Sequence, residues 1–240
     1  MPELTRQSIE AYYRRHDYHG RYTIGGGRRV SQIRRLLREQ RTYFRSAVLD
    51  LACGGGILGF LAEKEGLRYL GVDINGDMIR SARRNAKERG SRCEFVLGDA
   101  RTARVEGTFQ TVTLLGNAVI HFVPSDLRKI LTNIERNVEK GTHMLVEYRD
   151  VVKMLFAGEW SRRYIEDKGR GSVVSVSEGF DTERGEVKVE SRVGGRHSLD
   201  FGAAAWSPYI MQEVMNGSGW RLVGRRKTSP RVWLDVYVRT

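Results

Sequence analysis

No stretch of this chain is apolar for long enough to cross a bilayer and the mean hydropathy is −0.46, which excludes a membrane span. The opening MPELTRQSIEAYYRRHDYHG carries charge and aromatics where a secretion signal needs an apolar core. Cysteine is scarce: Cys53 and Cys93 are too few for a disulfide framework, and neither stands in a Cys-x-x-Cys or Cys/His metal spacing. These absences set the expectation of a reducing, cytoplasmic setting and a site without metal. Internal repeats, low-complexity tracts and a convincing linker are lacking too, so the 240 residues are expected to share one core with an elaborated edge. Lysine is rare beside arginine. Residues 1–46 hold eleven arginines and no lysine against Glu3, Glu10, Asp17 and Glu39, which accounts for much of the formal +12. A binding arm and a solvated helical face both fit that excess. Basic balance alone does not choose between nucleic acid, an acidic substrate and a bias toward arginine.

Along the chain, AVLDLAC (47–53), RYLGVD (68–73), CEFVLGDA (93–100), FQTVTLLGN (109–117) and THMLVEYRD (142–150) read as strands. Between them ILGFLAEKEG, NGDMIRSARRNAKERG and PSDLRKILTNIERNVEKG have helical spacing and end on glycine. This alternation predicts a doubly wound, mainly parallel α/β sheet with right-handed crossovers. After residue 150 the period becomes two: GSVVSVSEGF and GEVKVESRV alternate across the turn-prone DTERG, predicting an antiparallel hairpin. A capped helix over SPYIMQEVMNGSGW and closing strands over RLVGRRK and RVWLDVYVR follow. The expected organisation is a helical lid segment at 1–46, an α/β core at 47–150, an antiparallel insertion at 151–205, and a closing helix and strands at 206–240.

Gly54, Gly56 and Gly59 satisfy the G-x-G-x-x-G spacing of a dinucleotide turn, with Asp73 following where a ribose partner is expected. Asp50, however, stands where such a turn usually has another apolar residue. Asp50, Asp73 and Asp99 all fall at strand ends and converge on one pocket. With about 5 Å between charges and an effective dielectric near 20, each repulsion with a pyrophosphate would cost on the order of 3 kcal/mol. S-adenosylmethionine has no phosphate and two cationic groups. Asp50 suits its cationic methionine end, Asp73 its ribose hydroxyls and Asp99 its adenine amine.

The series VLDLACGGG, LGVDINGDM, FVLGDA and LLGN resembles the successive motifs of the class I S-adenosylmethionine-dependent methyltransferases over residues 45–150. The resemblance implies a seven-stranded sheet of order 3-2-1-4-5-7-6 with strand 7 antiparallel. It implies cofactor contacts at Asp50, Ala52, Gly54, Gly56, Asp73, Ile74, Met78, Asp99, Ala100 and Leu115. LLGNAVIHF, together with the stretch ending VEYRD, is similar to the glycine and sarcosine N-methyltransferases. That likeness implies that Asn117 and Arg149 hold the carboxylate of an amino-acid substrate. It also implies that Arg28 or Arg29 reaches the cofactor carboxylate, with Arg29 the chosen candidate. The sequence departs from this group in having VEYRD where IDHRN is usual. His121, on the short link before Pro124, is a third catalytic candidate, as a base. Structural readings stand beside these roles: Asn117 as a strand-end cap, Arg149 as a surface ion-pair partner of Asp150 or Glu147, His121 as a hydrogen-bonding residue rather than a base, and Cys53 as a small filler.

The expected activity is in-line methyl transfer to a small molecule, at an amine or amino-acid-like nitrogen. Methylation of RNA or protein is the alternative. The fourth strand ends in LGNAV, without the Pro-Pro-aromatic cluster that stacks on a flipped base, and no thiol stands there for attack on cytosine. Nucleic acid is therefore a disfavoured partner, and the oligomeric state is left open.

Overall fold

The computed structural model describes residues 27–159, 164–165, 173–193 and 196–240. Of the expected lid only the part from Gly27 falls among them, and Tyr12, Tyr13, Tyr18 and Tyr22, expected from the sequence to pack in the leading helix and lid, lie outside. Helix α1 (Gly27–Glu39) buries Val30, Ile33, Leu36 and Leu37, whose spacing of three and four puts them on one face. Arg28, Arg34, Arg35 and Arg38 take the exposed side.

There follow β1 (Ala47–Leu51), α2 (Ile57–Ala62), β2 (Arg68–Asp73), α3 (Gly76–Arg89), β3 (Glu94–Leu97), β4 (Phe109–Leu114), α4 (Pro124–Asn133) and β5 (Val138–Arg149). With β10 (Trp220–Ser229) and β11 (Val232–Arg239) these strands form one seven-stranded sheet of order β10-β11-β5-β4-β1-β2-β3. β1 to β5 pair in parallel, and β11 runs antiparallel to both β5 and β10. This is the expected 3-2-1-4-5-7-6 arrangement. β1 is buried along its whole length because helices cover both faces of the sheet. One apolar cluster joins the sheet to α4 and the closing helix α6 (Pro208–Asn216); the other joins it to α1, α2 and α3.

Two boundaries differ from expectation. β5 begins at Val138, within the stretch read as a helix, because α4 ends at Asn133 and Val138 pairs with Phe109. The expected hairpin is the centre of a larger sheet: β6 (Tyr164–Ile165), β7 (Val173–Asp181), β8 (Glu186–Val193) and β9 (Arg196–Ala204), reached through α5 (Val151–Phe156). β9 reads weakly as a strand because it ends in Gly202, Ala203 and Ala204. A Cβ on Gly202 would sit 2.7 Å from the Glu186 carboxyl carbon, so the glycine leaves room for that side chain beside β9.

Candidate active site

The turn after β1 opens a cleft at the carboxyl ends of the parallel strands, where a doubly wound sheet leaves room between diverging loops. Ala52 is left-handed at φ +60, a conformation rarely taken by a residue with a side chain, and Gly54 follows at φ +54. The three glycines that mimic a dinucleotide turn divide their work. Gly54 lines the cleft. Gly56 does not: it caps α2 at φ +80, and a Cβ there would lie 2.5 Å from the Phe95 ring. Gly59 meets the Tyr69 ring at the same distance. The last two glycines thus let α2 approach β2 and β3 closely. Cys53 packs over Gly71, and burial first of all pushes its thiol well above its ordinary range, which makes it a protonated filler and not a nucleophile.

Three carboxylates converge as expected, each in a different setting. Asp50 is buried, accepting from Tyr69 Oη at 2.7 Å and Thr113 Oγ1 at 2.6 Å; burial outweighs these bonds and pushes its pKa up to about 6. Asp73 accepts from the backbone N–H of Gly54 at 2.7 Å and of Asn75 at 2.8 Å, while burial holds its pKa above the ordinary value. Asn75 caps α3, its Oδ1 accepting from Asp77 N and Met78 N, which sets Met78 against the cleft. Asp99 is gripped by Arg101 through Nε and Nη2 at 2.6–3.1 Å. Burial raises its pKa, but these bonds leave it below the ordinary carboxylate value. Arg101 also reaches Asp126 at 3.4 Å. Sequence reasoning missed Arg101, and its place two residues after Asp99, outside any strand, was the one available signal.

Beside the carboxylates, Arg29, Ala52, Ile74, Ala100 and Leu115 line this cleft, as does His121. Burial pushes His121 down to about 4, so the ring is neutral near pH 7. Asn117 and Arg149 are brought together, but elsewhere. Asn117, itself left-handed at φ +63, accepts the Arg149 backbone N–H on its Oδ1 at 2.9 Å, and both residues border a second cavity. Glu147, read in the sequence as one surface partner for Arg149, stands between the two spaces. It accepts from Gly116 N at 2.8 Å and pairs with Arg29 at 3.3 Å.

Two further features come from distant parts of the chain. Trp206 is fully buried, and its indole N–H donates to the carbonyls of Val119 and Phe122, both at 2.9 Å, fixing the loop that carries His121. Its own carbonyl accepts from Val151 N and Val152 N at the start of α5. Arg184 and Glu186, at the β7–β8 turn of the insertion, rim the cleft.

The donor set fits S-adenosylmethionine better than a dinucleotide. The Gly54 amide that would cradle a pyrophosphate is already held by Asp73, and carboxylates stand at three strand ends. Ile74, Met78, Ala100 and Leu115 offer apolar walls for an adenine. Among the described residues no cluster of His, Cys, Asp and Glu could hold a metal ion, and no helix is long and apolar enough to cross a membrane.

Residues 48–141 match the family model described as a methyltransferase domain. The ubiquinone biosynthesis O-methyltransferase of Aliivibrio fischeri is 29% identical over 126 residues, covering 51% of this chain and 53% of that one. The glycine/sarcosine N-methyltransferase of Parasynechococcus marenigrum is 28% identical over 159 residues, covering 65% and 52%. This chain therefore spans about half the length of the curated relatives it matches. The crystal structure of the PH0226 protein from Pyrococcus horikoshii superposes with a TM-score of 0.74 at 28% identity, over 95% of this chain and 98% of that one.

Proposed function

We propose, from the premise that residues 48–141 make this chain a class I S-adenosylmethionine-dependent methyltransferase, that it methylates a small anionic molecule at an amine or amino-acid-like nitrogen. When bound, S-adenosylmethionine supplies an electrophilic methyl group on a cationic sulfur. Asp73 would accept from the ribose hydroxyls, and Asp99 from the adenine amine as Arg101 turns toward Asp126. Asp50 would take the cationic methionine end and Arg29, shared with Glu147, its carboxylate. His121 stays neutral and so adds no charge against the sulfonium. A neutral amine held in line about 3 Å from the methyl needs position and exclusion of water more than a strong base.

One observation carries the preference for a small acceptor. The insertion's Arg184 and Glu186 and the loop residues Phe122 and Val123 rim the same cleft as Asp50 and Asp73, which supports a partly roofed space, not an open groove for a polymer. The test incubates the full chain with methyl-labelled S-adenosylmethionine and, separately, small amines with and without an anionic group, bulk RNA and unfolded protein. Label is expected on an anionic amine. Label on RNA or protein alone would overturn the reading.

A further inference from the structure

Beside the cofactor cleft lies a second cavity of about 360 Å³, between α1, the carboxyl ends of β5 and β10, and the amino end of β11. The two spaces share Arg29, Ile33 and Gly116. Among the described residues, five cationic side chains border the second one (Arg29, Arg35, Arg149, Arg226 and Lys227) against two carboxylates, Glu39 and Glu147. Each carboxylate is already engaged. Glu147 pairs with Arg29 at 3.3 Å, and Glu39 pairs with Arg35 at 2.7 Å and with Arg226. Those contacts hold Glu39's carboxyl down at about 2, Arg35 acting most strongly and Arg226 next. Arg226 Nε is buried and has no hydrogen-bond partner, and Lys227 Nζ rests over the Trp233 ring at 4.9 Å. The lining also includes Thr228 and Ser229, whose hydroxyls suit an oxyanion.

We infer that this cavity binds the phosphate group of a phosphorylated acceptor, holding it while the nucleophile reaches the cofactor cleft past Gly116. The inference deepens the methyltransferase reading and rests on it for the ligand's other end. The charge balance selects the anion. The excess over the two carboxylates is three positive charges, of which a carboxylate offsets one, whereas a phosphate monoester carries about 1.5 to 2 negative charges and three acceptor oxygens. Arginine forks match those oxygens in pairs.

Calorimetry on the full chain saturated with S-adenosylhomocysteine tests this, with inorganic phosphate and acetate as probes at constant ionic strength. Phosphate is expected to bind about tenfold or more tighter than acetate, since it is the more highly charged acceptor. Arg226→Gln combined with Lys227→Gln should weaken phosphate by about tenfold, by removing two cationic donors. Glu39→Gln should tighten it about threefold or more, a gain that a damaged fold would not produce. Affinity for S-adenosylhomocysteine should stay within about twofold throughout, these residues lying outside the cofactor cleft. Acetate binding as well as phosphate, or phosphate affinity unmoved by either variant, would overturn the site. Should phosphate behave as expected while S-adenosylhomocysteine does not bind, the methyltransferase reading fails and the phosphate site stands.

Discussion

Asp50 is where the chemistry of the cleft meets pH. A carboxyl moved from its ordinary 3.8 to about 6 has its ionised form disfavoured by about 3 kcal/mol in the folded protein. The folded state therefore holds this proton more tightly than the unfolded chain does. Asp50's contribution to stability is full below pH 3.8 and is lost as pH rises through about 6. A cation bound beside it reverses that preference, so the cofactor and a proton compete for Asp50. S-adenosylmethionine affinity is expected to fall as pH drops from about 7 to about 5, approaching tenfold per unit once Asp50 is mostly protonated. Asp50→Asn should weaken binding at pH 7 and flatten this slope, separating Asp50 from Asp73, whose pKa burial also raises. A dissociation constant that stays flat over that range in the unaltered protein would show that Asp50 keeps one protonation state and serves the turn alone.

Elements join the site through Trp206, which lies between β9 and α6 and ties the loops after β4 and β5 to the insertion. Trp206→Phe keeps a ring in the core and removes the N–H that serves Phe122 O and that joins the Phe122 N–H in serving Val119 O. Leaving buried carbonyls short of a donor should cost about 1–3 kcal/mol of stability. Because the loop carries His121 and Phe122, acceptor kcat/KM is expected to drop by about tenfold while cofactor affinity stays within about twofold. Thermal unfolding, cofactor titration and steady-state kinetics on one preparation check this, and a stability loss with unchanged kinetics would confine Trp206 to packing. The α/β alternation to residue 150 was legible because each strand is a short apolar run and α3 ends in a recognisable stop at left-handed Gly90, whereas α4, which ends at Asn133 on no such signal, was read too long. β9 was not, since Gly202 and the alanines beside it carry none of the β-branched bulk that marks a strand.

Over the whole molecule, strand-end residues were the readable part of the site. Asp50, Asp73 and Asp99 sit where the order of elements alone puts them. Glu147, Arg101, Trp206 and Arg184 depend on how remote segments meet, and no spacing in the chain announces that. The formal charge of +12 was visible but silent about its purpose until its placement was known. On α1 the exposed arginines are spread along a solvated face whose opposite side is core. Among the described residues the exposed aromatics Phe156, Phe180 and Tyr209 fall on α5, β7 and α6, not beside those arginines. Single-stranded nucleic acid is usually held by aromatic stacking joined to a basic groove, and this face supplies charge without the stacking. Contacts of that kind are screened, and binding by counterion release weakens with salt at a slope set by the phosphates neutralised. Bulk RNA is therefore expected to bind measurably at about 0.02 M salt and to be lost by about 0.15 M. A filter-binding series across that range decides the matter: retention at about 0.15 M, together with methyl transfer to the bound RNA, would make the basic face a substrate surface and displace the small acceptor.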